Sequence, residues 1–309
     1  MKVSIIGGTG FIGSHLVDAL VERGHVPRLL VRRGSEGKVA QRDRCEVVTG
    51  DIGDRTALAA CLDGADALVY LIGILREFPS RGITFENAQY QGFSDSLDAA
   101  RAAGVTRIVL MSANGVESGA VPYQRTKRRA EQLLEGSGTR WTIFRPSVVF
   151  GDPRGRMEFC TQLKRQLVDP PLPAAVFFDG LDVLGAGEQP MSPVYVGDVA
   201  AAIAACLDND DAIGRTFELG GPRTLSWKEI IRTIARASGK GGKLVLPAPA
   251  WGVKLVAGAM QGFEWFPLTA DQVTMLMQGN VADGSAAFRL FDIQPTPFGE
   301  KQLGYLARR

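Results

Sequence analysis

Histidine is almost missing from this chain. Its 309 residues include only His15 and His25, which leaves no basis for a zinc site built on imidazole. The four cysteines, Cys45, Cys61, Cys160 and Cys206, lie far apart with no CxxC spacing. They read as buried reduced thiols of a cytoplasmic type of compartment rather than as a disulfide or metal framework. No charge of one sign dominates: 35 Lys and Arg against 33 Asp and Glu give a net charge of +2, too little for a dedicated nucleic-acid protein. No uncharged apolar run approaches the roughly 18 residues of a transmembrane segment. The few apolar residues before the first glycines are too short for a signal peptide. Internal repeats and low-complexity tracts are lacking too. What remains is a globular composition, 45% apolar and 22% charged, able to bury a core without staples.

Glycine is plentiful, with 37 residues concentrated after apolar runs, where α/β proteins place tight turns and ligand loops. The first half alternates short apolar strands with amphipathic stretches. Strands are expected over 3–6, 27–31, 46–49, 67–71, 107–111 and 141–144, and helices over 14–23, 57–62, 85–103 and 123–134. Near-continuous apolar strands between helices predict an α/β fold, a Rossmann doubly wound parallel sheet covered on both faces. After residue 150 the rhythm loosens around Pro170, Pro171 and Pro173. Strands over 175–178, 216–219 and 243–246 are expected there, with helices over 199–207, from the Ser226 cap to 237, and over 250–260. The expected division is a nucleotide-binding domain over 1–150 and a smaller mixed domain over 151–309, interleaved with the first.

Gly7-Gly8-Thr9-Gly10-Phe11-Ile12-Gly13 stands between the first strand and the first helix. In that context Gly7 lets the chain turn, Gly10 lets backbone approach a pyrophosphate, and Gly13 allows close helix–strand packing. The helix then offers unpaired N–H groups to phosphate. A plain strand–helix turn is the alternative. The second strand ends in Arg32-Arg33. A carboxylate there would accept from the ribose 2′-hydroxyl of NAD, whereas these arginines suit the 2′-phosphate of NADP. The alternative is a pair of solvated surface cations. Asp51 and Ile52 after the third strand are placed to flank the adenine. Leu71, Ile72 and Gly73 close the fourth strand at the same sheet edge.

Tyr123 and Lys127 are four apart on an expected helix and share one face. An ammonium beside a phenol favours the phenolate, and the pair is suited to proton transfer during hydride chemistry at a carbonyl or carbinol.

Together these motifs resemble the short-chain dehydrogenase/reductase superfamily in its extended branch, with NAD-dependent epimerases and dehydratases. The closest pattern is an atypical subgroup holding the nucleotide-binding accessory subunit of mitochondrial complex I and its bacterial relatives. The resemblance runs from Gly7–Gly13 through Asp51, the stretch from Phe85, Met111 to Asn114, and Tyr123 to Lys127. It continues through 141–151, Pro193 to Ala200, Pro267-Leu268-Thr269, Asn280-Val281 and Tyr305-Leu306. It implies that Ser112, Lys127 and Arg145-Pro146-Ser147-Val148 also line the cofactor; Arg32 and Arg33 are the ground for expecting NADPH to be preferred over NADH. Two positions depart from the superfamily. Its catalytic Ser or Thr falls at Asn114, whose amide can donate to a carbonyl oxygen but cannot share a proton as a hydroxyl does. The Asn usual in the long helix is Gln89.

The working expectation is an NADP-dependent oxidoreductase or epimerase-like enzyme, with Tyr123, Lys127 and Asn114 acting on a hydrophobic carbonyl or quinone-type substrate. The other expectation is a non-catalytic NADP(H) binder that stabilises or assembles a respiratory membrane complex, cytoplasmic or peripheral to the inner membrane. The aromatic runs Phe177-Phe178, Trp251 and Phe263-Glu264-Trp265-Phe266 are either core of the smaller domain or a face toward substrate, lipid or partner.

Overall fold

The computed structural model describes residues 1–260 and 269–307. Phe263-Glu264-Trp265-Phe266 and Pro267-Leu268, singled out above, lie outside the described residues. The chain divides into two units. The first comprises Met1–Pro146, Val196–Leu219 and Gly284–Gln294; the second comprises Ser147–Tyr195, Gly220–Asp283 and Pro295–Arg309. Where a boundary at residue 150 was expected, the continuous part of the first unit ends at Pro146, and two later segments return to it.

The first unit is a Rossmann-type doubly wound α/β layer. Its strands are β1 (Lys2–Ile6), β2 (Val26–Val31), β3 (Glu46–Thr49), β4 (Ala67–Tyr70), β5 (Arg107–Met111) and β6 (Arg140–Pro146), with Arg215–Leu219 completing a seven-stranded sheet. All neighbours pair parallel, in the order Arg215–Leu219, β6, β5, β4, β1, β2, β3. Side chains such as Ile5, Leu29, Leu68, Val69 and Ile108 are fully buried, as a sheet covered on both faces requires. The winding reverses between β1 and β4, so the chain leaves these two adjacent strands in opposite directions and opens a crevice at their C-terminal ends.

Helices α1 (Phe11–Glu22), α2 (Arg55–Leu62) and α4 (Pro122–Glu135) match the expected periodicity within a few residues. The expected single helix over 85–103 is instead two pieces. Glu86–Gln91 winds as π-helix, and α3 (Gly92–Ala102) follows as α-helix. The Tyr70 hydroxyl donates to the Ala88 carbonyl at 2.6 Å, giving that carbonyl a partner outside the helix. Gly92 permits the approach, because a Cβ there would lie 2.8 Å from the Tyr70 hydroxyl and 2.7 Å from Ile52 Cδ1. A period-3.6 pattern does not distinguish a π-helical turn from the α-helix that continues it.

The second unit has its own apolar core, including Phe150, Val176, Trp227, Ile230, Ile231 and Phe298. Its helix Trp227–Ala237 carries the expected capping box: Ser226 Oγ accepts from the Glu229 amide, and the Glu229 carboxylate accepts from the Ser226 amide. Strands Ala174–Phe178 and Val245–Pro249 form a parallel ribbon. The expected strand over 243–246 thus lies two residues later, and the helix Ala250–Met260 follows it.

Candidate functional site

The glycine loop occupies the exit of β1 at the reversal of the sheet. Gly7 has φ of +93°, a conformation that favours glycine, and a Cβ there would meet the Leu71–Ile72 backbone at 3.3 Å. Gly13, in the first turn of α1, packs far more tightly: a Cβ would sit 2.5 Å from the Gly7 carbonyl oxygen and 2.6 Å from Gly8 Cα. Gly10, the N-cap, is different. A Cβ there would touch only the Gly7 carbonyl oxygen, at 3.1 Å, and no side chain caps the helix. The loop therefore brings an uncapped helix N-terminus to the sheet edge with room above Gly10. That arrangement fits a dinucleotide pyrophosphate, because the free N–H groups and the helix dipole both favour an anion. Thr9 is half-buried and Phe11 and Ile12 open the helix; the Phe11 ring meets His15 edge-on at 5.8 Å.

Arg32 and Arg33 follow β2, and both are exposed. Neither forms an ion pair with another described residue, so both guanidinium groups are available to a phosphate. Asp51 is exposed after β3, with a carboxylate oxygen 3.4 Å from the Gly53 amide. Ile52 and Ile72 are partly buried and pack against the first unit's core. Leu71 continues the β1–β4 pairing, its amide donating to the Ile6 carbonyl at 2.9 Å.

Tyr123 and Lys127 lie one turn apart on α4. Lys127 is buried, and its ammonium donates to the Ile72 carbonyl at 3.0 Å and the Met111 carbonyl at 2.8 Å. Those carbonyls lie just beyond β4 and at the end of β5, so the lysine is tied to the exits of two central strands. Gly73 leaves it space: a Cβ there would come within 3.4 Å of Nζ. Burial pushes the Lys127 ammonium down to about 8, while the nearby Glu131 carboxylate pulls the other way.

The Tyr123 ring is half-buried and meets Phe85 edge-to-face at 5.8 Å. Its hydroxyl makes no hydrogen bond to another described residue. The sequence spacing led to an expected lowering of this phenol; in the structure burial pushes it up to about 12. The reason is geometric. The Lys127 ammonium is directed at backbone carbonyls rather than at the phenol, so desolvation acts without a compensating cation. Asn114 is half-buried in the loop after β5, its backbone N–H donating to the Pro146 carbonyl at 2.9 Å.

Two residues expected along the cofactor, Arg145 and Ser147, have side chains engaged inside the protein, and a third, Ser112, is buried. The Arg145 guanidinium is held by Glu131 and Glu117. The Ser147 hydroxyl donates to the Ser192 carbonyl within the second unit, to which Val148 also belongs. The Ser112 hydroxyl is buried without a hydrogen bond of ordinary geometry, although it is near enough to Glu131 to help hold that carboxylate ionised. Pro146 ends β6 and supplies the carbonyl that Asn114 binds.

Sequence reasoning missed two linkages. Buried Gln89, inside the π-helical turn, donates from Nε2 to the Ile74 carbonyl at 2.8 Å and accepts from Thr126 Oγ1 at 2.9 Å. It thereby anchors the residue next to Lys127. Glu131, fully buried one turn beyond Lys127, is clamped by Arg145 and Arg128. The i,i+4 spacing of Lys127 and Glu131 was the available signal. Among the described residues no cluster of His, Cys, Asp and Glu could hold a metal ion. Cys61, Cys160 and Cys206 are buried and Cys45 is half-buried.

Comparison with known proteins agrees with this geometry. The family described as NAD(P)H-binding matches residues 7–168. Ceramide reductase of Caulobacter vibrioides is 32% identical over 270 residues, covering 86% of this chain and 79% of that protein. The mitochondrial NADH dehydrogenase [ubiquinone] 1 alpha subcomplex subunit 9 of Arabidopsis thaliana is 29% identical, covering 94% of this chain and 74% of that one. The fold matches UDP-glucuronic acid 4-epimerase from Bacillus cereus in complex with NAD, with a TM-score of 0.74 at 20% identity, over 99% of this chain and 96% of the other. This chain belongs to the NAD(P)H-binding family, of short-chain dehydrogenase/reductase type, and its relatives include complex I subunits.

Proposed function

We propose that this protein is an NADP(H)-dependent reductase acting on an apolar carbonyl compound of lipid or quinone type. The observation that carries the reading is Lys127, a buried cation tied to the exits of β4 and β5 one helical turn from a phenol with no hydrogen-bond partner among the described residues. The Gly7–Gly13 loop and the open α1 N-terminus would hold the pyrophosphate, and Arg32 and Arg33 the 2′-phosphate. Bound NADPH would supply hydride. Lys127 is placed to donate to ribose hydroxyls, and Tyr123 to protonate the carbonyl oxygen while the Asn114 amide donates a hydrogen bond to it. The kinship with a ceramide reductase supports an apolar substrate class.

A second reading, an NADP(H)-holding protein that stabilises or assembles a respiratory membrane complex, is favoured by one observation. The position of the family's catalytic hydroxyl is Asn114, and the nearby Ser112 hydroxyl is buried beside Glu131 rather than open to a substrate. The relative in Arabidopsis thaliana named as an NADH dehydrogenase subunit is in keeping with it. Complementation of a strain lacking the protein separates the two. Loss of function with both Tyr123→Phe and Gly10→Val supports turnover. Loss with Gly10→Val alone supports the binding role, and loss with neither defeats both.

A further inference from the structure

Three buried side-chain atoms have no hydrogen-bond partner of ordinary geometry among the described residues: Ser112 Oγ, Gln189 Oε1 and Trp227 Nε1. Ser112 has Glu131 beside it. The other two belong to the second unit and are opposite in kind, an acceptor and a donor. Gln189 is 9% exposed and Trp227 4%. Buried polar atoms of folded proteins are nearly always satisfied, by protein groups or by ordered water.

The backbone brings these two side chains to one place. Pro190–Met191 pairs antiparallel with Leu225–Ser226, in the register Met191↔Leu225 and Pro190↔Ser226. The Trp227 amide donates to the Gln189 carbonyl at 3.0 Å, which carries that register one residue further. Opposed residues of an antiparallel pair project to the same face, with Cβ atoms about 4.5–5.5 Å apart. The bend beside them is held from two sides. The Lys228 amide donates to the Gly187 carbonyl at 3.0 Å, and the Gly187 amide to the Phe177 carbonyl at 2.9 Å. Gly187 has φ of +78°, and a Cβ there would lie 2.9 Å from Val176 Cβ.

The Gln189 amide has one orientation. Its Nε2 donates to the Phe177 carbonyl at 3.1 Å, and Phe177 is itself buried. Turning the amide over would set two carbonyl oxygens against each other, so Oε1 is the atom left without a partner. The Trp227 indole lies in an apolar core that includes Leu163, Val176 and Ile230, with the Phe159 ring centroid 6.2 Å away.

We propose that one buried water molecule bridges Trp227 Nε1 and Gln189 Oε1. It accepts from the indole N–H and donates to the amide oxygen, which only a group able to do both can achieve. Both atoms are shut off from solvent, which suits water and excludes a larger guest. The water is an integral part of the second unit. It ties the first residue of the helix Trp227–Ala237 to the bend at residues 187–189, and it is independent of the chemistry at Lys127 and Tyr123.

A high-resolution crystal structure of the full chain should show one isolated peak at about 2.7–3.2 Å from both atoms. In solution, the Trp227 indole N–H, assigned from the signal lost in Trp227→Phe, should exchange slowly and show a nuclear Overhauser contact to a long-lived water. The indole of Trp251, 67% exposed, is the fast-exchanging reference. Trp227→Phe and Gln189→Leu should each lower the thermal midpoint by about 2–4 °C or more. The double variant should lose less than the sum, because removing either partner already removes the bridge. The proposal is overturned if the density joins the two side chains directly, or if the peak is missing or touches only one of them. It is equally overturned if the Trp227 indole exchanges as fast as that of Trp251, or if the two losses add. The density and exchange readouts use the wild-type protein and decide the matter even where a variant fails to fold.

Discussion

Arg145 holds Glu131 through two parallel hydrogen bonds, Nε to Oε1 and Nη2 to Oε2, each 2.8 Å long. Arg128 adds a third to Oε2 at 2.8 Å, and the second arm of Arg145 reaches Glu117. Burial alone would raise the Glu131 carboxyl, but Arg145, Ser112 and Arg128 together keep it below its ordinary value. Arg145 is correspondingly raised, chiefly by Glu131. A fully buried carboxylate is sustained only by such matched partners. Replacing Glu131 by Ala leaves the largely buried Arg145 guanidinium with only the exposed Glu117 as a carboxylate partner. Unfolding in urea should register a loss of about 3–5 kcal/mol. A loss within about 0.5 kcal/mol, the range of an ordinary surface change, would show that the clamp is ornamental.

Lys127 sets a pH limb for nucleotide binding. Its ammonium is charged below about 8 and neutral above. NADPH affinity of the free protein should therefore fall as pH rises through about 8, and Lys127→Met should flatten the profile. The stability contribution has the opposite sign. An unfolded lysine ionises near about 10.4, so the unfolded chain binds more protons between the two values. The cost of burying the charge is full below about 8 and is relieved as pH climbs toward the unfolded value. Glu131→Gln removes an attraction that raises Lys127, so it should move the binding limb to lower pH. An unmoved limb in that variant assigns the titration to another group.

Gly10 and Gly13 separate binding from folding. At Gly10 a side chain meets only one carbonyl oxygen at 3.1 Å, so Gly10→Val should fold and fail to bind nucleotide. At Gly13 even a methyl group would lie 2.5 Å from the Gly7 carbonyl oxygen, so Gly13→Ala should lower the thermal midpoint as well. Thermal scans with and without NADPH read both effects. A stable, nucleotide-binding Gly10→Val protein would place the ligand elsewhere.

Arg32 and Arg33 should make NADPH bind about ten- to hundredfold more tightly than NADH, the worth of a charge-assisted contact to the 2′-phosphate. Calorimetric titration of both nucleotides checks this. Arg32→Ala should narrow the gap, and a gap narrowed only by Arg33→Ala exchanges their roles. Equal affinities in the wild-type protein remove the basis for the NADP assignment.

Tyr123→Phe should cut turnover of a reducible carbonyl substrate by about 10²- to 10⁴-fold, the usual share of a general acid. NADPH affinity should stay nearly constant, since the ring and its contact with Phe85 remain. Unchanged turnover would transfer the proton to another donor.

The strands, the glycine loop and the Tyr123–Lys127 face were legible in the sequence because each is set by neighbours within a few positions. Alternation of apolar runs with period-3.6 stretches specifies βαβ units, and Gly7, Gly10 and Gly13 mark where backbone must turn or approach closely. Local spacing could not report the direction of a buried charge. Lys127 and Tyr123 share a face, yet carbonyls at residues 72 and 111 take the ammonium and leave the phenol raised instead of lowered. The same limit applies to Arg145, whose guanidinium Glu131 holds, and to Gln89, whose side chain meets Thr126. It applies as well to Val196–Leu219, which returns to the first unit although it lies far along the chain. Each depends on which distant residues the sheet order makes neighbours. Desolvation and hydrogen-bond competition are decided there, after the chain has closed, whereas turns and periodicity are decided residue by residue along it.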